Sequence, residues 1–142
     1  MKSLWALAAA TLAALPLSAS AQTGANVVGR WQTPTRHGVV EITACGNSVC
    51  GRLVDSDGLR ANPALRDVHN KDVAQRERQL KGLLILQGFS PKGSEWTGGT
   101  IYNAEDGGTY QATLTPAGPD TLKLKGCIVW PLCKTQVWTR LK

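Results

Sequence analysis

The chain has 142 residues, 42% of them apolar and 18% charged, with a formal net charge of +6. That length suits one domain with a modest core. The basic residues are scattered, with no run and no aromatic-interleaved patch, which argues against nucleic acid as a partner.

Residues 1–21 read as a secretory signal peptide rather than as fold. Lys2 is the positive start, residues 4–15 form an Ala/Leu-rich apolar run, Pro16 breaks it, and Ala19-Ser20-Ala21 is a small-residue cleavage site. The run falls short of the ~20 apolar residues a spanning helix needs, and no second stretch is longer. No cysteine near the cleavage site suggests a lipid anchor. The expected product is one domain over residues 22–142, periplasmic or secreted and not membrane-spanning, with charge +5 once Lys2 is removed.

After a loose tail, residues 27–32 read as the first strand. Residues 39–44 follow, with Val40, Ile42 and Ala44 on one face and Glu41 and Thr43 on the other, the period of a half-buried strand. Residues 49–54 form the next, with Val49 and Leu53 inward. Residues 55–81 break the pattern, with six basic residues, five acids and no apolar stripe. Asn62 with Pro63 suits the start of a short helix, and Asp72 suits the cap of another turn. A loop this long is either functional, such as a lid over a barrel mouth, or packed on the outside. Residues 82–88 are an apolar run bounded by glycines, read as a strand buried on both faces. Residues 90–94 read as a turn.

Residues 95–115 carry the strongest local signal. Two β-rich runs flank Asp106-Gly107, a pair suited to a two-residue hairpin turn. That register pairs Asn103 with Tyr110 and Ile101 with Ala112. Ile101, Tyr110, Ala112 and Leu114 then share a core face. Trp96, Thr100, Tyr102, Gln111 and Thr113 share the other, unless a bulge at Gly98-Gly99 reverses Trp96. Residues 121–125 alternate leucine and lysine, and residues 135–141 form the last strand.

The four cysteines allow three pairings. Cys45–Cys50 and Cys127–Cys133 are favoured, because each pair brackets a turn-like segment that can bring its Cα atoms within disulfide reach. A zinc site fits less well, since the spacings are not Cys-x-x-Cys. About eight short antiparallel strands result, an all-β up-and-down barrel with one long loop of short helical turns. Pairing the first strand with the last would remove both sheet edges.

Gly29-Arg30-Trp31 on the first strand and Arg140 on the last resemble the lipocalin-like (calycin) signature. There a Trp plugs one barrel end and an Arg packs over it. A longer series resembles the domain-of-unknown-function 2147 family of exported bacterial proteins nearly end to end. It adds Cys45, Val49-Cys50-Gly51-Arg52, Asn70, Asp72, Arg76, Arg78, Leu80, Gly82 and Leu86-Gln87-Gly88-Phe89. It continues through Trp96, Gly98-Gly99, Ile101-Tyr102-Asn103, Asp106-Gly107, Tyr110, Leu122-Lys123, Lys125-Gly126-Cys127, Cys133-Lys134-Thr135-Gln136, Trp138 and Arg140. Val73 and Gln79 stand where that family usually has proline. The resemblance implies a lipocalin-like barrel and export, and it carries no reaction.

No phosphate-binding Gly loop, Gly-x-Ser-x-Gly elbow or His-Glu-x-x-His motif is present, so neither an enzyme nor a cofactor is expected. His37 and His69 fall in loops, and Glu105 and Asp106 fall at a hairpin tip where water reaches them. The leading expectation is a barrel that binds a small apolar or amphipathic molecule. Candidate binding residues are Trp96, Gly98, Gly99, Tyr102, Tyr110, Arg76, Arg78 and Trp138, with Trp31, Arg140, Asp106 and Gly107 as structural supports. The alternative is a module that binds an envelope protein, such as an inhibitor of a wall-directed enzyme.

Overall fold

The computed structural model describes residues 14–15 and 27–142. Apart from residues 14–15, the expected signal peptide and the tail after it lie outside the described residues. The strands are β1 (Gly29–Gln32), β2 (Val39–Cys45), β3 (Ser48–Asp55), β4 (Leu83–Gln87), β5 (Ser90–Lys92), β6 (Glu95–Asn103), β7 (Gly108–Pro116), β8 (Thr121–Val129) and β9 (Leu132–Arg140). All neighbours pair antiparallel, and β1 pairs with β9 through Trp31↔Arg140 and Gln32↔Thr139. A second seam, β4 against β6, closes the barrel. Both β4 and β5 run along β6, so they act as one stave interrupted at Gly88-Phe89, and the barrel has eight staves.

The alternation read from the sequence sets which side chains go in. Val40 and Ile42 on β2, Val49 on β3 and Leu122 and Leu124 on β8 are buried, while Lys123 and Lys125 are exposed. Trp31, Leu86, Phe89, Trp96, Leu114 and Trp138 complete the core. Each such side chain is worth about 1.5–3 kcal/mol when taken from water. The cysteine pairs join as favoured, Cys45–Cys50 across the β2–β3 hairpin and Cys127–Cys133 across β8–β9, with Cα separations of 5.6 and 4.0 Å.

Three local readings are corrected. Residues 90–94 are not simply a turn. Ser90–Lys92 pair with residues 95–97 around Gly93-Ser94, and Pro91 is tolerated because β5 lies at the end of the sheet order. The helix in the long loop does not start at Asn62. It is α1 (Asp57–Ala61), capped by Ser56, whose hydroxyl accepts from the Leu59 N–H at 3.1 Å. Asn62 closes that helix, and its side chain holds a separate turn by accepting from Ala64 N–H at 3.0 Å. Asp72 does cap a 3-10 turn, over Val73–Gln75.

The third correction concerns the β6–β7 hairpin. Asn103 pairs with Gly108 and Ile101 with Tyr110, so the turn has four residues, 104–107. The Asn103 side chain accepts from Glu105 N–H at 3.0 Å, and the Asp106 carboxylate accepts from Gly108 N–H at 2.7 Å. These side-chain bonds favour the longer turn over the two-residue one. Further along, the ladder shifts register between Trp96 and Gly99, with Gly98 at φ +71°. That bulge brings Trp96 to the inside, the reversal weighed from the sequence.

Candidate functional site

Antiparallel connectivity puts the β1–β2, β3–β4, β6–β7 and β8–β9 connections at one end of the barrel, here the loop end. The other end carries the β2–β3, β5–β6 and β7–β8 turns, and is here called the plug end.

The plug end is built as the sequence implied. Trp31 is fully buried and donates its indole N–H to the Val27 carbonyl at 2.8 Å. The Arg140 guanidinium lies 4.2 Å from the Trp31 ring centroid and donates to the carbonyls of Pro119 (2.7 Å) and Val28 (2.8 Å). Gly29, at φ +137°, makes room, since a Cβ there would lie 2.5 Å from the guanidinium.

Burial changes along the barrel axis. On β7 the inward row runs from Leu114 and Ala112, both buried, to half-buried Tyr110. On β8 it runs from Leu122 and Leu124 to half-buried Gly126, and on β9 from Trp138 through half-buried Gln136 to exposed Lys134. Cross-strand register ties these rows together, as Trp96↔Leu114↔Leu124↔Gln136. The interior is therefore packed and apolar toward the plug end. It becomes less buried and more polar toward the loop end. Trp96 belongs to the packed part, and its Nε1–H is a buried donor without a partner.

The long loop is fastened to the rim at the loop end. Asp67 is fully buried and accepts three side-chain bonds, from Tyr102 Oη at 2.6 Å, Asn70 Nδ2 at 2.8 Å and Arg78 Nε at 2.8 Å. Burial alone would push the Asp67 carboxyl up. The bonds from Tyr102, Asn70 and Arg78, with the Arg78 charge, outweigh it and hold the group below its ordinary value. Burial, followed by the Asp67 bond and charge, pushes Tyr102 up to about 12. Arg78 also lies over the Tyr102 ring at 5.1 Å, and Arg76 donates to the Asn70 carbonyl at 2.8 Å.

This latch has a structural reason. The β4–β6 ladder consists of Leu86↔Ile101 and Gln87↔Thr100 and stops there. The next residue on β6, Tyr102, pairs with Thr109 of β7 on one side, and on the β4 side it turns its hydroxyl to Asp67.

The hairpin tip joins the same assembly. Asp106 accepts from Tyr110 Oη at 2.5 Å and from Asn103 Nδ2 at 3.2 Å, and its bond raises the Tyr110 pKa. Glu105 pairs with Arg36 of the β1–β2 connection. A Cβ on Gly107 would collide with the His69 carbonyl oxygen, so the long loop packs directly on the tip. Glu105 and Asp106 are exposed at the tip, as read from the sequence, and the tip also packs against the long loop. His37 and His69 are both exposed. His37 lies 2.9 Å from Asp57, whose pKa its hydrogen bond lowers, with Arg60 adding to the effect.

The expected binding residues thus divide into two groups. Arg76, Arg78, Tyr102 and Tyr110 come together at the loop end with Asp106 and Gly107. Trp96 and Trp138 are core. Gly99 is covered by the Phe89 ring, which occupies the space of a side chain there, and Gly98 serves the bulge. At the base of the β6–β7 hairpin, Trp96 and Gly99 are thus taken up by packing and Gly98 by the bulge. Asp67, the centre of the latch, was missed. Its side-chain partners lie up to 35 residues away in sequence, and no local pattern marks it. Among the described residues, no group of three or more His, Cys, Asp or Glu is placed to hold a metal ion.

A family profile matches residues 29–140 and is described as an uncharacterized protein conserved in bacteria (DUF2147). The chain belongs to the DUF2147 family. For this DUF2147 chain the fold also has a solved counterpart, described as protein HP1028 from the human pathogen Helicobacter pylori, which belongs to the lipocalin family. The two share 24% identity with a TM-score of 0.74, over 82% of this chain and 83% of the other. At that identity the likeness shows the lipocalin-like fold alone. No curated protein matches the chain. Two disulfides place this DUF2147 barrel in an oxidising compartment. Among the described residues no helix is long and apolar enough to cross a membrane.

Proposed function

We propose that the protein is an exported, non-catalytic barrel that takes one small amphipathic molecule through its loop end. The observation that carries this reading is the gradient inside the barrel. A buried apolar floor of Leu114, Leu124 and Trp138 gives way to Tyr110, Gly126, Gln136 and Lys134. An apolar floor below a few polar groups is the lining that small-molecule sites favour. The cysteine pairs and the signal-peptide pattern support export to the periplasm or beyond it. Asp67 is engaged in holding the loop, and exposed His37 is engaged with Asp57. These features support binding over catalysis.

The test is to fill the mouth. A Cβ on Gly126 would meet Ile101 Cγ2 at 3.8 Å and the Gln111 carbonyl at 4.0 Å, ordinary contacts that leave room for a side chain. Gly126→Leu should fold and lose binding of an environment-sensitive apolar dye that the natural chain binds. Native mass spectrometry of protein taken from its own envelope should show a co-purified mass. A natural chain that binds no dye and carries no added mass would overturn the reading.

A further inference from the structure

We infer that the tip of the β8–β9 hairpin docks on anionic lipid bilayers. This rests on the exposed hairpin tip and not on an occupied barrel interior; Lys134, at the rim of the mouth, is the one residue the two readings share. Ile128, Val129, Trp130 and Leu132 are exposed to 73%, 60%, 78% and 65%, and Pro131 stands between them. An apolar cluster this continuous at a hairpin tip gains nothing from the fold, and its placement calls for a partner surface. The disulfide Cys127–Cys133 sits at its base, with a Cα separation of 4.0 Å. It holds the two strands together, so the tip is presented without the cost of ordering a free loop.

Charge chooses the partner. The two strands behind the tip, β8 and β9, carry no acidic residue, while Lys123, Lys125 and Lys134 are exposed and basic. Lys125 pairs across to Thr135 and Gly126 to Lys134, so two exposed lysines stand just behind the disulfide. At ~3.3 Å per residue they lie roughly 10 Å back from the tip. That matches the depth to which interfacial elements sink, about 5–10 Å, with cations left at the headgroups. A tryptophan at the apolar end and lysines at that distance make an interfacial anchor. On the outward face of these strands Glu95 lines a groove of about 270 Å³ with Lys123 and Lys125, and it accepts a bond from Thr115. At the loop end the neighbouring β6–β7 tip carries Glu105 and Asp106, whose carboxylates are engaged by Arg36 and Tyr110. Because the tip projects from the loop end, docking would bring the barrel mouth to the membrane.

Vesicle co-sedimentation tests this, using the folded, oxidised protein with phosphatidylglycerol-rich vesicles and with pure phosphatidylcholine vesicles. Binding is expected to the anionic vesicles, to weaken about tenfold when salt is raised, and to be much lower on the neutral ones. Trp130→Ser with Leu132→Ser, and separately Lys125→Glu on the outward face, should each lower partitioning about tenfold. These residues lie outside the core, and unchanged thermal unfolding will verify that both variants fold. Three outcomes would overturn the inference: no binding to anionic vesicles, binding unaffected by the tip pair, or equal binding to both lipids. A fourth is concentration-dependent dimerisation, without vesicle binding, that the tip pair abolishes; this would assign the tip to a second copy of the chain.

Discussion

Asp67→Asn is the most informative single change, because it removes one charge from the latch and keeps its shape. The Asp67 carboxylate is fully buried and accepts from Tyr102, Asn70 and Arg78. A bond to a charged donor is worth about 1.5–3 kcal/mol, and a neutral one about 1. An Asn amide at this place cannot accept from all three donors, so one faces an N–H. Arg78 is about a third exposed and regains water, which discounts its share. The expected loss is about 2–3 kcal/mol at neutral pH, or roughly 6–12 °C in Tm for a domain of this size. The dependence on pH is specific. The folded carboxyl sits below 3.8, so its stabilisation is full above the unfolded value and is lost as pH falls through the folded one. Urea titrations of both proteins should show a constant gap above about pH 5 that closes at lower pH. Trypsin should also cut the variant faster among Arg66, Lys71, Arg76 and Arg78. Coincident unfolding curves at pH 7, or a gap that persists unchanged into strong acid, would refute the reasoning.

Other changes probe the remaining supports. Gly107→Ala at φ +69° meets the His69 carbonyl and should cost well over the ~1 kcal/mol expected of Gly98→Ala, at φ +71° in open space; thermal unfolding compares them. Arg140→Leu should cost about 2–3 kcal/mol through the lost stack and two carbonyl acceptors, and Arg140→Lys should rescue only part of it, measured by denaturant unfolding. Each disulfide closes a loop of only a few residues, so reducing either one, isolated by a Cys→Ala pair at the other, should cost about 2 kcal/mol in the same assay.

Most of the barrel was legible because it rests on nearest-neighbour patterns. Val40 and Ile42 alternate with Glu41, and Leu122 and Leu124 alternate with lysines, so their facing follows from period alone. Trp31 and Arg140 were legible because a motif fixes both. The site was less so, since its geometry depends on tertiary partners. Tyr102 was read on the outer face and is there, yet the loop covers it, and Asp67 gave no signal in sequence. The four-residue turn was misread because Asn103 and Asp106 cap it with their side chains, which outweighs the Asp-Gly preference for a tighter one. Ser56, an ordinary N-cap three residues before Leu59, was the signal that could have placed α1.

The two ends of the barrel are closed by different physics, and that difference gives it a direction. At the plug end, closure is apolar burial of Trp31 under a stacked guanidinium, which neither moderate salt nor acid removes. At the loop end, the β4–β6 seam has two paired residues on each strand and then depends on the Asp67 latch. Around it stand exposed ion pairs, Arg36–Glu105 and His37–Asp57, that salt can screen. Elements held by few apolar contacts and by polar bonds at the surface open at lower free energy than a packed core. Opening should therefore begin at the latch and spread along the β4–β6 seam, while β1 and β9 stay paired. In hydrogen exchange, the Tyr102 and Asn103 amides should lose protection before those of Trp31 and Trp138, and acid strong enough to protonate Asp67 should widen that difference. Equal protection at both ends would mean that the seam is not the weak side of the barrel, and that the latch is a surface ornament rather than a closure.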